Sequence, residues 1–179
     1  MTTALLIRPA HTAPAVRIKL ATSDAERDAA LRLRHSVFCV EQGLFDGDDI
    51  DAIDASALTL VAIGGGAADE VVGTVRVHQA ADGAWWGSRL AVARSARRQA
   101  AVGSGLIRLA VCTAHALGCR TFLAHVQQQN VAMFEQLHWR SLDALELHGR
   151  AHQLMQADLA CYPPIADGAS GFLCTRSNP

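Results

Sequence analysis

The chain has 179 residues and a mass of 19.0 kDa, which fits one ordinary domain. Hydrophobic residues make up 50% of it and charged residues 18%, a composition that excludes a largely disordered protein. The formal net charge is −1, so the chain lacks the overall basic field of proteins that coat nucleic acid or anionic membranes. We therefore expect neither nucleic acid nor a membrane as its partner.

The sequence also argues against membrane insertion, secretion and metal binding. The apolar opening at residues 1–7 is too short for a signal segment, and no later run reaches the roughly 18 apolar residues of a spanning helix. The five cysteines are odd in number and form no C-x-x-C pair, which favours a reducing cytoplasm over a disulfide framework. His148 and His152 flank a predicted turn with no third ligand nearby, so we predict no metal site.

The hydrophobic pattern predicts an alternation of strands and helices along the chain. Alternating apolar and basic residues predict a first strand over 16–20. An S-x-x-E capping box at Ser23 predicts a helix that stops near Gly43. Further strands are predicted over 58–63, 71–78, 85–92 and 121–126, helices over 103–117 and 130–137, and a final hairpin over 142–157. This order predicts one α/β domain on a mixed sheet over 16–162, between an N-terminal extension (1–15) and a loosely ordered tail (163–179).

A basic turn precedes the helix predicted over 103–117, and its arginines are Arg89, Arg94, Arg97 and Arg98. Cations at this end oppose the helix macrodipole, so a bound anion would resolve the conflict. Gly103 and Gly105 leave backbone amides open to phosphate oxygens, and Ser104 between them adds a hydroxyl donor. The alternative is a solvated basic turn whose glycines serve packing. The strands predicted on both sides favour the anion site.

The stretch from Arg98 to Gly103 resembles the R/Q-x-x-G-x-G/A loop of the GNAT superfamily of acyl-CoA-dependent N-acyltransferases, with Ala101 at the middle glycine. The resemblance implies a mixed, mostly antiparallel sheet with splayed central strands flanked by helices. It also implies that acetyl-CoA places its pyrophosphate on the amides over 102–105, near Arg97 and Arg98. The residues that it assigns to acetyl-CoA are Leu90, Ala91, Val92, Arg97, Arg98, Ala101, Val102, Gly103, Ser104, Gly105, Asn130 and Phe134.

The stretch from Asn130 to Trp139 is similar to the superfamily segment that reads N-x-x-A and then Y-E-K-L-G-F. Phe134 stands where many members carry the tyrosine that protonates the leaving thiolate. Because phenylalanine has no proton to give, another group or water must protonate the thiolate, or it leaves as the anion.

An L-R-x-x-V-F-x-x-E-Q stretch, an acidic loop over 46–54 with a D-x-D-x-x-D pattern and a G-T-V-R strand resemble the acyl-homoserine-lactone synthase branch of the superfamily, in which the loop handles the amine substrate. The resemblance assigns the amine to Arg34, Asp49, Asp51, Asp54 and Arg76. Two other interpretations remain open, a solvated loop and a structural Asp–Arg network. The stretch over 149–159 is similar to a bacterial group of N-acetyltransferases linked to nitrogen starvation.

An amine must be neutral before it attacks a thioester, so a base or a water chain is required. Glu41, at the end of the first helix beside the acidic loop, is the first candidate. His125, on the strand predicted to splay, is the second, although a strand histidine is more often a hydrogen-bonded core residue.

These features predict a single-domain, acetyl-CoA-dependent N-acetyltransferase in which a small amine attacks the thioester directly, without a metal. Two alternatives remain. One is a signal synthase that joins an acyl group to an adenosylmethionine-like amine, and the other is a non-catalytic acyl-CoA sensor. A homodimer is left open.

Overall fold

A computed structural model describes residues 15–64, 70–98 and 100–174 of the chain. Nearly all of the predicted N-terminal extension, the glycines of the connection at 65–66 and Gln99 of the basic turn lie outside the described residues. The described residues form an α/β structure with one mixed sheet of eight strands flanked by helices, which confirms the predicted fold class.

The sheet has the spatial order β6-β7-β5-β4-β3-β2-β1-β8. Neighbouring strands pair antiparallel, except for β4 and β5, which pair in parallel. The strands are β1 (Val16–Leu20), β2 (Leu58–Gly64), β3 (Glu70–Gln79), β4 (Trp85–Val92), β5 (Phe122–Gln127), β6 (Trp139–Leu147), β7 (Arg150–Ala157) and β8 (Phe172–Cys174).

In the part of the chain that the structure describes, three α-helices accompany the sheet: α1 (Asp24–Arg34), α2 (Ala100–Ala116) and α3 (Val131–Gln136). The predicted capping box starts α1, since Ser23 accepts from the Glu26 amide and the Glu26 side chain accepts in return. The chain then continues as a π-helix (His35–Glu41), which has wider turns than an α-helix. The sequence predicted one continuous helix over both segments. In the described part of the chain, no helix is both long and apolar enough to cross a bilayer.

Helix α2 packs closely on the sheet because one strand offers it a glycine. A Cβ atom added to Gly73 of β3 would lie 2.9 Å from Leu106 Cδ1 and 3.0 Å from Val102 Cγ1. Both of these side chains are fully buried, so the apolar face of α2 forms the main core with the sheet. The helix begins three residues before the predicted start, which places Gly103 and Gly105 inside it.

The two central strands separate halfway along their length, as the sequence predicted. Residues 85–87 of β4 pair with residues 122–124 of β5, and no pair follows between these two strands. On its other side β4 carries a β-bulge, because Arg89 and Leu90 together face the single residue Val75 of β3. Arg89 adopts a φ of 55°, a conformation that is uncommon for a residue other than glycine. The result is a gap in the sheet with an irregular strand at its edge.

The chain end differs from the loosely ordered tail that the sequence predicted. Residues 172–174 form β8, which pairs with Val16–Ile18 of β1, and the Leu20 amide donates to Gly168 O over 2.7 Å. Gly171, at a φ of 57°, passes so close to the Ile18 carbonyl that any Cβ would overlap it. Residues 172–174 therefore complete the sheet beyond β1. A three-residue strand is too short to show in a hydrophobic pattern, which explains the wrong prediction.

Candidate active site

A cavity of about 740 Å³ opens where β4 and β5 separate. It passes through the gap in the sheet and therefore has two ends. The α2 end is lined by Leu90, Val92, Gly103, Ile107, Met133 and Phe134. The α1 end is lined by Phe38, Phe45, Trp86, Arg89, His125 and His148.

The edge of β4 along the cavity presents backbone groups without a strand partner. The Ala93 amide donates to Val72 O of β3 over 2.8 Å. Because backbone groups alternate in direction along a regular strand, those of Val92 point away from β3, toward the side from which β5 has diverged, and Leu90 in the bulge lines the cavity beside them. Ala91 between them is buried under the π-helix. The predicted cofactor strand thus directs the backbone groups of Val92 toward the cavity.

The start of α2 also reaches the cavity. The first amides of an α-helix have no acceptor within the helix, so they attract anions. Gly103 lines the cavity, and a Cβ atom there would meet nothing within 4 Å. Gly105 serves packing instead, because its Cβ would lie 3.0 Å from Cys174 Sγ and 3.2 Å from Ile18 Cγ1. Of the two glycines predicted to lie beside the phosphates, Gly103 therefore borders open space, whereas Gly105 packs against β1 and β8.

The other residues predicted to hold acetyl-CoA are divided between the cavity and its surroundings. Asn130 lines the cavity, and Phe134 packs edge-on against Trp139 with ring centroids 5.0 Å apart. Ala101 and Ser104 border a separate cavity of about 350 Å³. Arg98 is exposed, and the side chain of Val102 is buried in the core, so only its backbone is available to a ligand.

Arg97 and Glu41, predicted for different roles, pair with each other. Arg97 Nη2 donates to Glu41 Oε2 over 2.7 Å, and Arg97 Nε donates to Val92 O over 3.0 Å. The pair joins the end of the π-helix to the open edge of β4. Glu41, the first candidate base, is not among the described residues that line the cavity.

His125, the second candidate base, lies one residue beyond the last β4–β5 pair. Its ring is open to the cavity and packs at a tilt on Trp86, with centroids 4.9 Å apart. Partial burial lowers the pKa of the His125 imidazole, and the nearby His152 lowers it further. A neutral imidazole near pH 7 can accept a proton, so His125 has both the position and the protonation state of a base.

The aspartates of the acidic loop are held by arginines from α1 and β3. Arg34 binds Asp49 over 2.8 Å and Asp54 over 2.6 Å, and Arg76 binds Asp51 over 2.6 Å and Asp54 over 2.9 Å. Hydrogen bonds from Arg76 lower the pKa of Asp51. Burial opposes ionisation of Asp54, but the hydrogen bonds from Arg34, the Asp51 amide and Arg76 together outweigh it and hold the pKa of Asp54 well below its usual range.

Arg89 completes this network, although the sequence placed it in the basic turn. Its guanidinium binds Asp49 over 2.9 Å and Asp51 over 3.2 Å, and it lies 4.5 Å from the ring centroid of Phe45. Its partners are about 40 residues away in the chain, so the sequence contained no local signal for this contact. Arg89 thereby ties the bulge of β4 to the acidic loop.

Arginines of the Asp–Arg network, and none of its aspartates, line the described part of the cavity wall. Three guanidinium groups balance the three carboxylates of Asp49, Asp51 and Asp54. Arg76 and Arg89 line the cavity, whereas the described cavity wall contains no aspartate or glutamate. Of the five residues predicted to bind the amine, only Arg76 therefore borders the cavity. The observed contacts are those of the Asp–Arg network that the sequence left as an alternative.

The sequence analysis did not assign several of the side chains that line the α1 end to the site. Trp86 and Arg89 come from β4, and His148 comes from the β6–β7 turn, where it contacts Phe45 with ring centroids 4.8 Å apart. Alternation along β4 was a usable signal, since it turns Trp85 into the core and Trp86 to the opposite face. Within the described ranges, no group of three or more His, Cys, Asp or Glu side chains is arranged to hold a metal ion.

The chain is similar in sequence and structure to known proteins. The family model described as "Acetyltransferase (GNAT) family" matches residues 24–139. A proposed N-acetyltransferase from Lactobacillus plantarum is 23% identical with a TM-score of 0.70, over 80% of this chain and 97% of the other. Escherichia coli ElaA is 23% identical with a TM-score of 0.65, over 81% and 99%. BjaI, a CoA-dependent acyl-homoserine lactone synthase solved with SAM and isopentyl-CoA, is 16% identical with a TM-score of 0.65, over 79% and 82%. Among curated proteins, none matches the sequence significantly.

Proposed function

The chain belongs to the acetyltransferase (GNAT) family, and we propose that it transfers the acyl group of acetyl-CoA to a small amine. One observation carries the proposal: a single cavity borders the free edge of β4, the first turn of α2 and the rings at its α1 end. A thioester donor and an amine acceptor can thus approach each other from opposite faces of the sheet.

The α2 end fits an acyl-CoA. Backbone groups of Leu90 and Val92 would hold the pantetheine arm, and the amides beside Gly103 would bind the diphosphate, with Arg97 and Arg98 as counter-charges. Open space at Gly103 supports this assignment, because a side chain there would occupy the approach to the amides. The donor supplies an activated thioester carbonyl, which the protein needs only to orient and polarise.

At the α1 end, the amine nitrogen would attack the thioester carbon. A C–N bond forms and the C–S bond breaks, so the sulfur leaves with the bonding electrons as a thiolate. His125 would take the proton that the amine loses, since its imidazole is neutral near pH 7. Phe134 cannot protonate the thiolate, which takes its proton from water instead.

A charge reversal at Arg98 tests the donor site. We expect Arg98→Glu to weaken CoA binding, measured by isothermal titration calorimetry, by about tenfold or more, because it places a carboxylate beside a diphosphate. Arg120→Glu, an equal charge change at an exposed residue beyond the opposite end of α2, is the matched control. Equal affinity of the two variants would overturn the phosphate assignment, and CoA binding without acyl transfer to any amine would favour a sensor.

The acyl-homoserine-lactone synthase alternative is favoured by the acidic loop, whose spacing of aspartates matches that branch. Mass spectrometry of products from acyl-CoA donors with adenosylmethionine would identify it. A lactone product would establish this alternative, whereas an N-acetylated amine as the sole product would exclude it.

A further inference from the structure

We infer that the acceptor is an aromatic monoamine, a primary amine that carries an aromatic ring and no second cationic group. The inference rests on the proposed function, because it names the acceptor of the same site. Its basis is the α1 end of the cavity, where the described wall combines aromatic rings and guanidinium groups and includes no carboxylate.

The charges at this end disfavour a polycation. Each carboxylate of the acidic loop that the sequence offered for an ammonium is paired with arginine, and Asp49 is fully buried. Arg76 and Arg89 border the cavity in place of these aspartates. A second ammonium on the acceptor would find no carboxylate on the described wall to pair with, because the carboxylates of the loop are already engaged, so a polyamine is poorly accommodated.

The shape and polarity of the wall favour an aromatic ring. Trp86 contacts His125, Phe45 contacts His148, and the centroids in the two pairs are 4.9 Å and 4.8 Å apart. Phe38 extends the second pair at 6.5 Å from Phe45. Flat rings on two sides of a cavity offer the offset and edge-on contacts that aromatic ligands prefer.

The same surroundings help the acceptor to react. A protonated amine near Arg89 is destabilised relative to the neutral amine, so its pKa falls and the nucleophilic form becomes more abundant. His125, in contact with Trp86, is placed to take the proton that remains to be lost. A cavity end lined by aromatic rings, with no carboxylate on the described wall, therefore selects a monoamine and also activates it.

Binding and turnover with two amines test the inference separately from the proposed function. Phenethylamine and spermidine are titrated into the enzyme–CoA complex by calorimetry, and both are assayed for CoA release from acetyl-CoA. We expect phenethylamine to bind at least about tenfold more tightly than spermidine, since the latter brings extra ammonium groups to a site that lacks a carboxylate. Equal or tighter binding of spermidine would overturn the inference. Phenethylamine binding without turnover would support it and overturn the proposed function.

Variants at Trp86 locate the aromatic contact. We expect Trp86→Ala to weaken phenethylamine binding about fivefold or more, Trp86→Phe to retain most of it, and both to leave CoA affinity unchanged. Leu117→Ala, at an exposed residue after α2, controls for general effects of truncation. Equal phenethylamine affinity of Trp86→Ala and the control would overturn the inference, and a parallel loss with Trp86→Phe would do the same.

Discussion

Two residues that the sequence offered as bases, Glu41 and His125, prove to have very different surroundings. Glu41 is paired with Arg97 at the mouth of the cavity, so its carboxylate is already engaged. His125 faces the cavity from β5, and partial burial lowers its imidazole pKa. The protonation states and positions together favour His125, and two substitutions test this choice.

The pH dependence of the reaction tests His125. Because partial burial and His152 lower its pKa from the usual 6.5, the imidazole stays neutral at pH 7 and becomes protonated only at lower pH. We therefore expect kcat/KM to be at its maximum at neutral pH and to decrease as the pH drops through this lowered pKa. His125→Gln should reduce kcat/KM at pH 7 by about a hundredfold and remove the acidic limb of the profile. The exposed His35→Gln is the control, and an unaltered profile in His125→Gln would exclude it as the base.

Glu41→Gln tests whether the Arg97 pair restrains donor binding. Removing the ion pair frees Arg97 for the diphosphate, and an exposed pair is worth at most about 1 kcal/mol. We expect CoA affinity to rise by up to about fivefold in calorimetry, with kcat nearly unchanged. A large loss of kcat at unchanged CoA affinity would contradict this expectation and restore Glu41 as the base.

At the scale of elements, the start of α2 shows how one motif serves two purposes. Gly103 and Gly105 are two residues apart, so they face different neighbours on the helix. One borders the cavity with open space around it, and the other contacts β1 and β8. The early start of α2 at Ala100 places Gly103, which lines the cavity, at the end of the first helical turn. Substitutions at these glycines should therefore affect different properties.

Gly103→Glu should keep the fold and impair the donor site. A carboxylate near the first turn of a helix is favourable by about 0.3–1 kcal/mol, so the melting temperature should not fall. The same carboxylate would repel the diphosphate, and we expect CoA affinity, measured by calorimetry, to decrease about tenfold or more. Gly103→Gln is the uncharged control of equal size. Gly105→Val should instead lower the melting temperature, because its side chain meets Ile18 and Cys174. A folded Gly103→Glu variant with normal affinity would contradict the assignment.

At the scale of the whole molecule, the Asp–Arg network joins α1, the acidic loop, β3 and β4. The side chains of Arg34 and Asp49 are 3% and 1% exposed, which makes this pair the most buried part of the network. Arg89 links the same carboxylate to the bulge of β4. The acidic loop is therefore part of the framework that shapes the cavity.

Asp49→Asn tests this framework. The substitution removes the buried carboxylate that Arg34 and Arg89 share and leaves Asp54 as the remaining counter-ion of Arg34, and we expect the free energy of unfolding, measured with urea, to fall by about 3 kcal/mol. Asp46→Asn, an equal charge change at an exposed position of the same loop, should cost less than about 0.5 kcal/mol. Similar stability of the two variants would show that the loop is only a solvated surface.

The sequence by itself determined what depends on neighbours along the chain. The capping box at Ser23, the alternation in β4 and the loop from Arg98 to Gly103 indicated a helix, a strand and the family. Contacts between distant segments were decided only by the tertiary structure. Arg97 pairs with Glu41, which is 56 residues away in the sequence. Arg89, in the predicted basic turn, binds an aspartate that is about 40 residues away. In sequence every arginine is a possible partner for every carboxylate. Strand register, the bulge of β4 and the pairing of β8 with β1 decide which ones meet, because they set distances that local patterns do not encode.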